Sequence, residues 1–281
     1  MGSIDFSSFS RLTEAHIADC VALSSEAGWN QMSEDWALFL RHGTVFGLTN
    51  AHGVTVASGA VLPYPDDFAW ISMVLVTASR RRERIGTSVL EACCGEVVQR
   101  GLLSMLDATP AGERIYRPLG FDGIFNLSRW QGVSERRANS PVGIRAMVAG
   151  DIPSVTLIDA AAFGAKRKFL IENLFRRLPQ LAFVSPDRTS FVLARPGRKA
   201  TQIGPIVATS EGVADALLNA ALGRVSGPVF LDLIDGRDTL IRHLQQRGFS
   251  LQRPFLRMGL NRRAPFGNPA NLFVVAGPEF G

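Results

Sequence analysis

The 281-residue chain is 46% hydrophobic and 20% charged, enough apolar matter to bury a core in one large domain or two ordinary ones, which excludes disorder as the default reading. No run approaches the roughly eighteen apolar residues of a membrane span, and the opening MGSIDFSSFS lacks the charged and apolar regions of a signal peptide, so a cytoplasmic protein with no membrane partner is expected. Net charge is +5, but the first 140 residues carry 12 Arg or Lys against 15 Asp or Glu, giving −3, and the remainder 18 against 10, giving +8.

In chain order, helical spacing after the N-cap candidate Thr13 predicts a helix over 13–27, and a second covers 33–41. TVFGLTN and GVTVASGAVLPY read as strands separated by a turn at 50–53, followed by the β-branched run FAWISMVLVTAS. A helix over 85–99 leads to the short strand LLSMLDA. Thr109 and Pro110 are a good N-cap and first-turn pair for the next helix, which Gly120 ends before a strand from Phe121.

The polar stretch QGVSERRANSP then reads as a linker, dividing the chain into domains at 1–132 and 142–281 with residues 133–141 between them. The second half repeats the order of the first. VGIRAMV precedes helices over 151–162 and 166–177, the strands LAFV, TSFVLARP and ATQIGPIVA follow, and helices over 211–222 and 237–246 alternate with the strands PVFLDLI and FSLQRPFLRM. LVTAS at 75–79 answers IVATS at 206–210, and YRPLGF at 116–121 answers LQQRGF at 244–249, spanning 46 positions from Leu75 to Phe121 and 43 from Ile206 to Phe249. The chain reads as a diverged duplication.

Chemistry concentrates in VLVTASRRRERIGTSVL, residues 74–90, where a strand runs through an arginine-rich turn into an amphipathic helix. The first amides of a helix have no intrahelical acceptor and carry the positive end of its dipole. With Arg80, Arg81, Arg82 and Arg84 beside them, they suit a pyrophosphate, and Gly86 lets backbone and phosphate approach closely. Read without that context, the same arginines form an ordinary solvated loop.

This segment resembles the acetyl-CoA signature of the GNAT acetyltransferase superfamily, Gln/Arg-x-x-Gly-x-Gly/Ala after a strand, with Arg81 at the first position and Gly86 at the last; Arg84 departs from the pattern where the first glycine usually stands. DATPAGERIYRPLGF at 107–121 is similar to the second signature of the superfamily. AGWNQMSEDW at 27–36 and AGPEFG at 276–281 resemble a subgroup of two-module bacterial proteins with a degenerate second domain. The resemblance implies an α/β (α+β) fold of two tandem modules, each a mixed, mostly antiparallel sheet flanked by helices with a splayed parallel strand pair.

It further implies acetyl-CoA as cofactor, with CoA as product, held by Val74, Leu75 and Val76 of the strand and by Arg81, Arg82, Glu83, Arg84, Ile85, Gly86, Thr87 and Ser88 of the turn and helix. Tyr116 occupies the position where the superfamily often places a proton donor, and a phenol of ordinary pKa, about 10, is protonated at neutral pH. The acceptor is expected to be a small-molecule or peptide amine. Trp29, Trp70, Ser72 and Asp107 are candidates for its binding, although large aromatics are more often core. No carboxylate stands in AWISMVLV to serve as base, leaving Ser72, a water chain, Asp107, Glu26 or Asp35 unranked.

In the second half neither the arginine loop nor the glycine signature follows IVATS, and Leu244 replaces the tyrosine, so that module reads as having lost its cofactor site. Asp232 and Asp235 are weak candidates for a cationic acceptor there. Its scattered positive charges point to a solvated basic surface and no nucleic-acid partner. Cys20, Cys93 and Cys94 are expected to be reduced thiols, and His16, His42, His52 and His243 show no ligand spacing, so no metal is expected. A catalytically weak CoA-binding sensor or scaffold is the alternative function. The oligomeric state is not legible in the sequence.

Overall fold

The computed structural model describes residues 9–64, 67–136 and 143–281. The described chain divides into two compact units, one ending at Leu106 and the other running from Asp107 to Gly281.

In the first unit, β1 (Ser10–Arg11), β2 (Thr44–Thr49), β3 (Thr55–Tyr64) and β4 (Phe68–Val76) pair antiparallel in sequence order, and β5 (Leu103–Ala108) joins β4 in parallel. Helices α1 (Ile17–Glu26) and α2 (Ser33–His42) pack on β3 and β2, and α3 (Ile85–Gln99) packs on β3 and β4. The ladder of β3 is almost wholly buried, as its run of small and β-branched residues requires. Gly59 permits the close seat of α3: a Cβ there would come within 2.4 Å of Val89 Cγ1 and 2.9 Å of Cys93 Sγ.

The second unit contains α4 (Pro110–Tyr116), β6 (Phe121–Ser134), β7 (Arg145–Ala146), α5 (Ile152–Phe163), α6 (Lys168–Arg177), β8 (Phe183–Val184), β9 (Phe191–Arg195), β10 (Thr201–Val207), α7 (Glu211–Leu222), β11 (Gly227–Ile234), α8 (Asp238–Gln246), β12 (Ser250–Leu260) and β13 (Leu272–Val274). Strands β7 to β10 form an antiparallel run, β10 and β11 are parallel, and β6 lies between β11 and β12, antiparallel to both. An apolar core of Leu217, Leu218, Leu231, Leu233, Leu240 and their neighbours fills the space between α7, α8 and the strands. Thus β6, which ends the first repeat in sequence, packs as a central strand of the second unit. Of the expected linker, Val133 and Ser134 belong to β6, and residues 137–141 lie outside the described residues.

Most expected elements appear within a few residues of their sequence bounds, and α3 and α7 at those bounds. The short strands β1 and β13 were not expected. No helix among the described residues is long and apolar enough to cross a membrane, and no cluster of three or more His, Cys, Asp or Glu able to hold a metal occurs among them.

The basic second half is not simply a solvated surface. Arg129 makes two 2.8 Å bonds to Asp232, Arg257 two 2.9 Å bonds to Asp107, and Arg167 is paired with Asp159, all buried. Arg195 is paired with Glu279 in the same interior. Breaking such a pair strands a charge in a medium that cannot solvate it. Asp232→Ala is therefore expected to lower the unfolding free energy by about 3–5 kcal/mol, read from urea titration monitored by intrinsic tryptophan fluorescence.

Candidate functional site

The first unit contains a fork. Parallel pairing of β4 with β5 covers Phe68↔Leu103, Ala69↔Ser104 and Trp70↔Met105 and goes no further, although β4 continues to Val76. On its other edge β4 stays paired with β3, but the register slips between Ala60↔Ser72 and Ser58↔Leu75, so that Met73 and Val74 bulge from the ladder. Met73 takes φ 54°, a left-handed conformation costly for a residue with a Cβ, and the buried Ser58 hydroxyl donates to Met73 O at 2.9 Å. A bulge at this point re-aims the following backbone. Val74, Leu75 and Val76 thus come after the fork opens, with no strand bonded to their β5-facing edge among the described residues.

Beyond Val76 the chain makes a single turn at Ala78–Arg80 and enters α3 at Ile85. Glu26, at the end of α1, fixes this turn by accepting from the Ala78 amide at 3.0 Å and the Thr77 hydroxyl at 3.2 Å. Those two bonds, the Ala78 one first, hold the Glu26 carboxyl below the usual carboxylate range. Glu26 is therefore a brace of the loop. Arg81 Nε donates back to Val76 O at 3.2 Å, closing the turn onto the strand.

Arg84 stands as N-cap of α3 at φ 63°, ψ 4°. The position where the GNAT signature has glycine keeps the left-handed backbone that glycine supplies, and here an arginine adopts it. A left-handed residue followed by a helical one turns successive amides toward a common point, a concavity suited to anions. The first helical bond at this end is Ser88 N–H to Arg84 O at 3.1 Å, so the amides of Ile85, Gly86 and Thr87 precede it. Arg81, Arg82, Glu83 and Arg84 are exposed, Ile85 and Ser88 buried. Glu83 is occupied by Arg80 at 2.8 Å, whereas Arg82 and Arg84 have no carboxylate partner among the described residues. A Cβ on Gly86 would meet only Val76 Cγ2, at 3.6 Å. The packing around it does not require the glycine.

Other candidates fall elsewhere. Trp70 is buried in the first-unit core, and Trp29 is half-buried. Ser72 sits on β4 just after the fork opens, its hydroxyl buried without a hydrogen-bond partner among the described residues. Asp35 accepts from the Met32 amide at 2.8 Å as the capping carboxylate of α2. In the second unit, burial pushes the Asp107 carboxyl up against the opposing pull of Arg257, which grips both its oxygens. Tyr116 closes α4, its ring tilted on Phe121 at 6.0 Å and laid over Gly112, where a Cβ would come 2.8 Å from Tyr116 Cε2. Asp232 is buried in its pair with Arg129. The thiols are protonated at neutral pH: burial pushes Cys20 up to about 12 and Cys94 up to about 11, and raises Cys93 as well.

The second unit holds an equivalent fork, and it is filled. β10 and β11 pair directly at Thr201↔Val229 through Ile203↔Leu231 and then separate around β13. Val274 pairs with Ile206 on one side and Leu233 on the other. The segment is fastened by Arg237, which donates to Pro269 O at 2.6 Å and stacks 4.4 Å from the Phe273 ring, by Arg195 on Glu279, and by Arg167, which donates to Phe280 O at 3.2 Å and Gly281 O at 2.5 Å. The apolar run LFVV at 272–275 was the sequence signal for this strand.

Residues 10–121 match the model of the Acetyltransferase (GNAT) family, and residues 155–274 match that of an Acetyltransferase (GNAT) domain. The chain belongs to the GNAT family. It carries two GNAT domains in tandem, one on each matched segment. YitH, an uncharacterized N-acetyltransferase of Bacillus subtilis strain 168, is 22% identical over 245 residues, covering 85% of this chain and 86% of that one. A holothin acyltransferase of a Pseudoalteromonas species is 25% identical over 173 residues, 60% of this chain and 58% of its own length. Among solved structures, a Pyrococcus horikoshii protein assigned as an acetyltransferase superposes with a TM-score of 0.79 at 20% identity, covering 100% of this chain and 99% of that one. A tandem GNAT protein from the clavulanic acid biosynthesis pathway superposes with a TM-score of 0.59 at 12% identity, covering 89% and 97%. These likenesses agree on the fold.

The geometry separates stability from ligand approach at Gly86. Gly86→Ala is expected to leave the unfolding free energy unchanged or to raise it by up to about 1 kcal/mol from helix propensity, while weakening the binding of CoA in calorimetry. A fall in the unfolding free energy would show that the glycine serves the fold.

Proposed function

We propose that the first GNAT domain is an acetyl-CoA-dependent N-acetyltransferase that moves an acetyl group to a primary amine of a small-molecule or peptide acceptor. The contrast between the two forks carries this reading: the first leaves the β4 edge, the α3 amides and two unpaired arginines together, whereas the second is occupied by β13. Acetyl-CoA, when bound, supplies the thioester. The amides of Ile85, Gly86 and Thr87, with Arg82 and Arg84, hold phosphate oxygens by charge-assisted bonds. Val74, Leu75 and Val76 offer backbone groups that orient an acyl carbonyl, and each donor aimed at the oxygen gaining negative charge is worth about 3 kcal/mol. The amine nitrogen would form the new C–N bond and the C–S bond would break, the amine giving up its proton to water and the sulfur taking one. Tyr116, by the resemblance of its motif, is given the role of delivering the proton to the departing sulfur.

The absence of any carboxylate along β4 favours a second reading, a CoA-binding sensor or scaffold. Two measurements separate them. Calorimetry with CoA is expected to give one site per chain, abolished by Gly86→Glu; zero or two sites would overturn the assignment. Release of free CoA thiol with a panel of amines is expected for the enzyme, with Tyr116→Phe lowering kcat about a hundredfold at unchanged CoA affinity. CoA binding without thiol release on any amine would establish the sensor.

A further inference from the structure

A second cluster of charged side chains lies in the second unit, at the point where β10 and β11 part. Strand register sets Asp232 on β11 opposite Arg129 on β6, and Arg129 opposite Arg253 on β12. Gln202 on β10 donates to Asp232 at 2.9 Å, and Arg195 stands opposite Gln202 in the β9 ladder. We infer that this cluster is an oxyanion-binding site in which Arg253 takes the carboxylate or phosphate of a small ligand.

The charge inventory leads there. Arg129, Arg195, Arg253 and Arg257 face Asp107, Asp232 and Glu279, four cations against three anions. Every anion is committed: Asp232 to Arg129 and Gln202, Asp107 to Arg257, Glu279 to Arg195. The surplus cation is Arg253. It has no hydrogen bond and no ion pair among the described residues, its Nε is buried without an acceptor, and its guanidinium lies 5.0 Å over the Phe255 ring. Like charges set directly opposite across a ladder repel. A buried, unsatisfied donor adds a desolvation cost. Burial and then the neighbouring Arg129 accordingly pull its proton affinity below the usual guanidinium range.

Local backbone geometry points the same way. The β6–β12 register slips between Leu251 and Arg253, a bulge at Gln252 immediately before the unpaired arginine. Bulges re-aim the side chain that follows them and gather beside binding sites. Arg253 keeps part of its surface open. A guanidinium fork with an aromatic ring at its back matches a planar carboxylate or a phosphate through two parallel bonds, and a single negative charge would balance the cluster.

The test titrates the full chain with acetate, succinate and inorganic phosphate against chloride at matched ionic strength, followed by thermal shift and calorimetry. The same titrations in Gly86→Glu remove any phosphate response arising at α3. Saturable stabilisation beyond chloride is expected, weakened at least about tenfold in Arg253→Gln and less in Arg253→Lys, which keeps the charge and loses the fork. Saturation by carboxylates alone or by phosphate alone names the ligand class. In ligand-free buffer Arg253→Gln is expected to be as stable as the parent or more so, because an uncompensated cation has gone. Absence of a saturable response to every anion, an unchanged response in Arg253→Gln, or a ligand-free midpoint well below the parent's would overturn the site, the last by showing Arg253 to be a strut.

Discussion

Parallel strands that diverge leave two rows of backbone donors and acceptors facing each other across a widening gap, and groups of that kind must find partners if they are buried. This chain contains the arrangement twice. In the second domain the requirement is met internally, with Val274 bonded to both sides of the gap and arginines holding the segment that carries it. In the first domain no strand among the described residues bonds the β5-facing edge of β4 beyond Trp70, and α3 begins after it with the amides of Ile85, Gly86 and Thr87 preceding its first helical bond. Two tandem domains of one fold thus hold an open fork and a filled one.

Charge follows the same division of labour. The arginines of the first domain cluster in a solvated turn, where a long side chain costs little to expose. In the second, Arg129, Arg167, Arg195 and Arg257 turn inward as counterions to Asp232, Asp159, Glu279 and Asp107, and Arg167 and Arg237 clamp carbonyls of residues 269–281. A high positive count in a sequence thus need not advertise a nucleic-acid surface. Pairs of this depth contribute little net stability over an apolar filling, but they tolerate the loss of neither partner.

Periodicity and turn residues made the helices and most strands legible, because an amphipathic stripe as in α8 or a β-branched run as in β4 is a local property. The strand-turn-helix segment at 74–90 was legible for the same reason: its arginines, Gly86 and the helix start are neighbours in sequence. What escaped was everything set by long-range pairing. The bulge at Met73 depends on the Ser58 hydroxyl, the brace at Glu26 on a helix some fifty residues away, and the insertion of β13 on two strands from earlier in the chain. Arg84 was visible as a departure from a glycine position, but only backbone angles show that it adopts the glycine-like conformation.

The placement of β6 bears on how this protein can be taken apart. Its fourteen residues form a central strand between β11 and β12, so a chain cut at the polar stretch after it would expose both bonding edges of β6 while opening a gap two strand-spacings wide in what remained. The boundary read from the polar stretch and the boundary along which the molecule packs are different places, and a fragment drawn to the first would be a sticky, incomplete sheet.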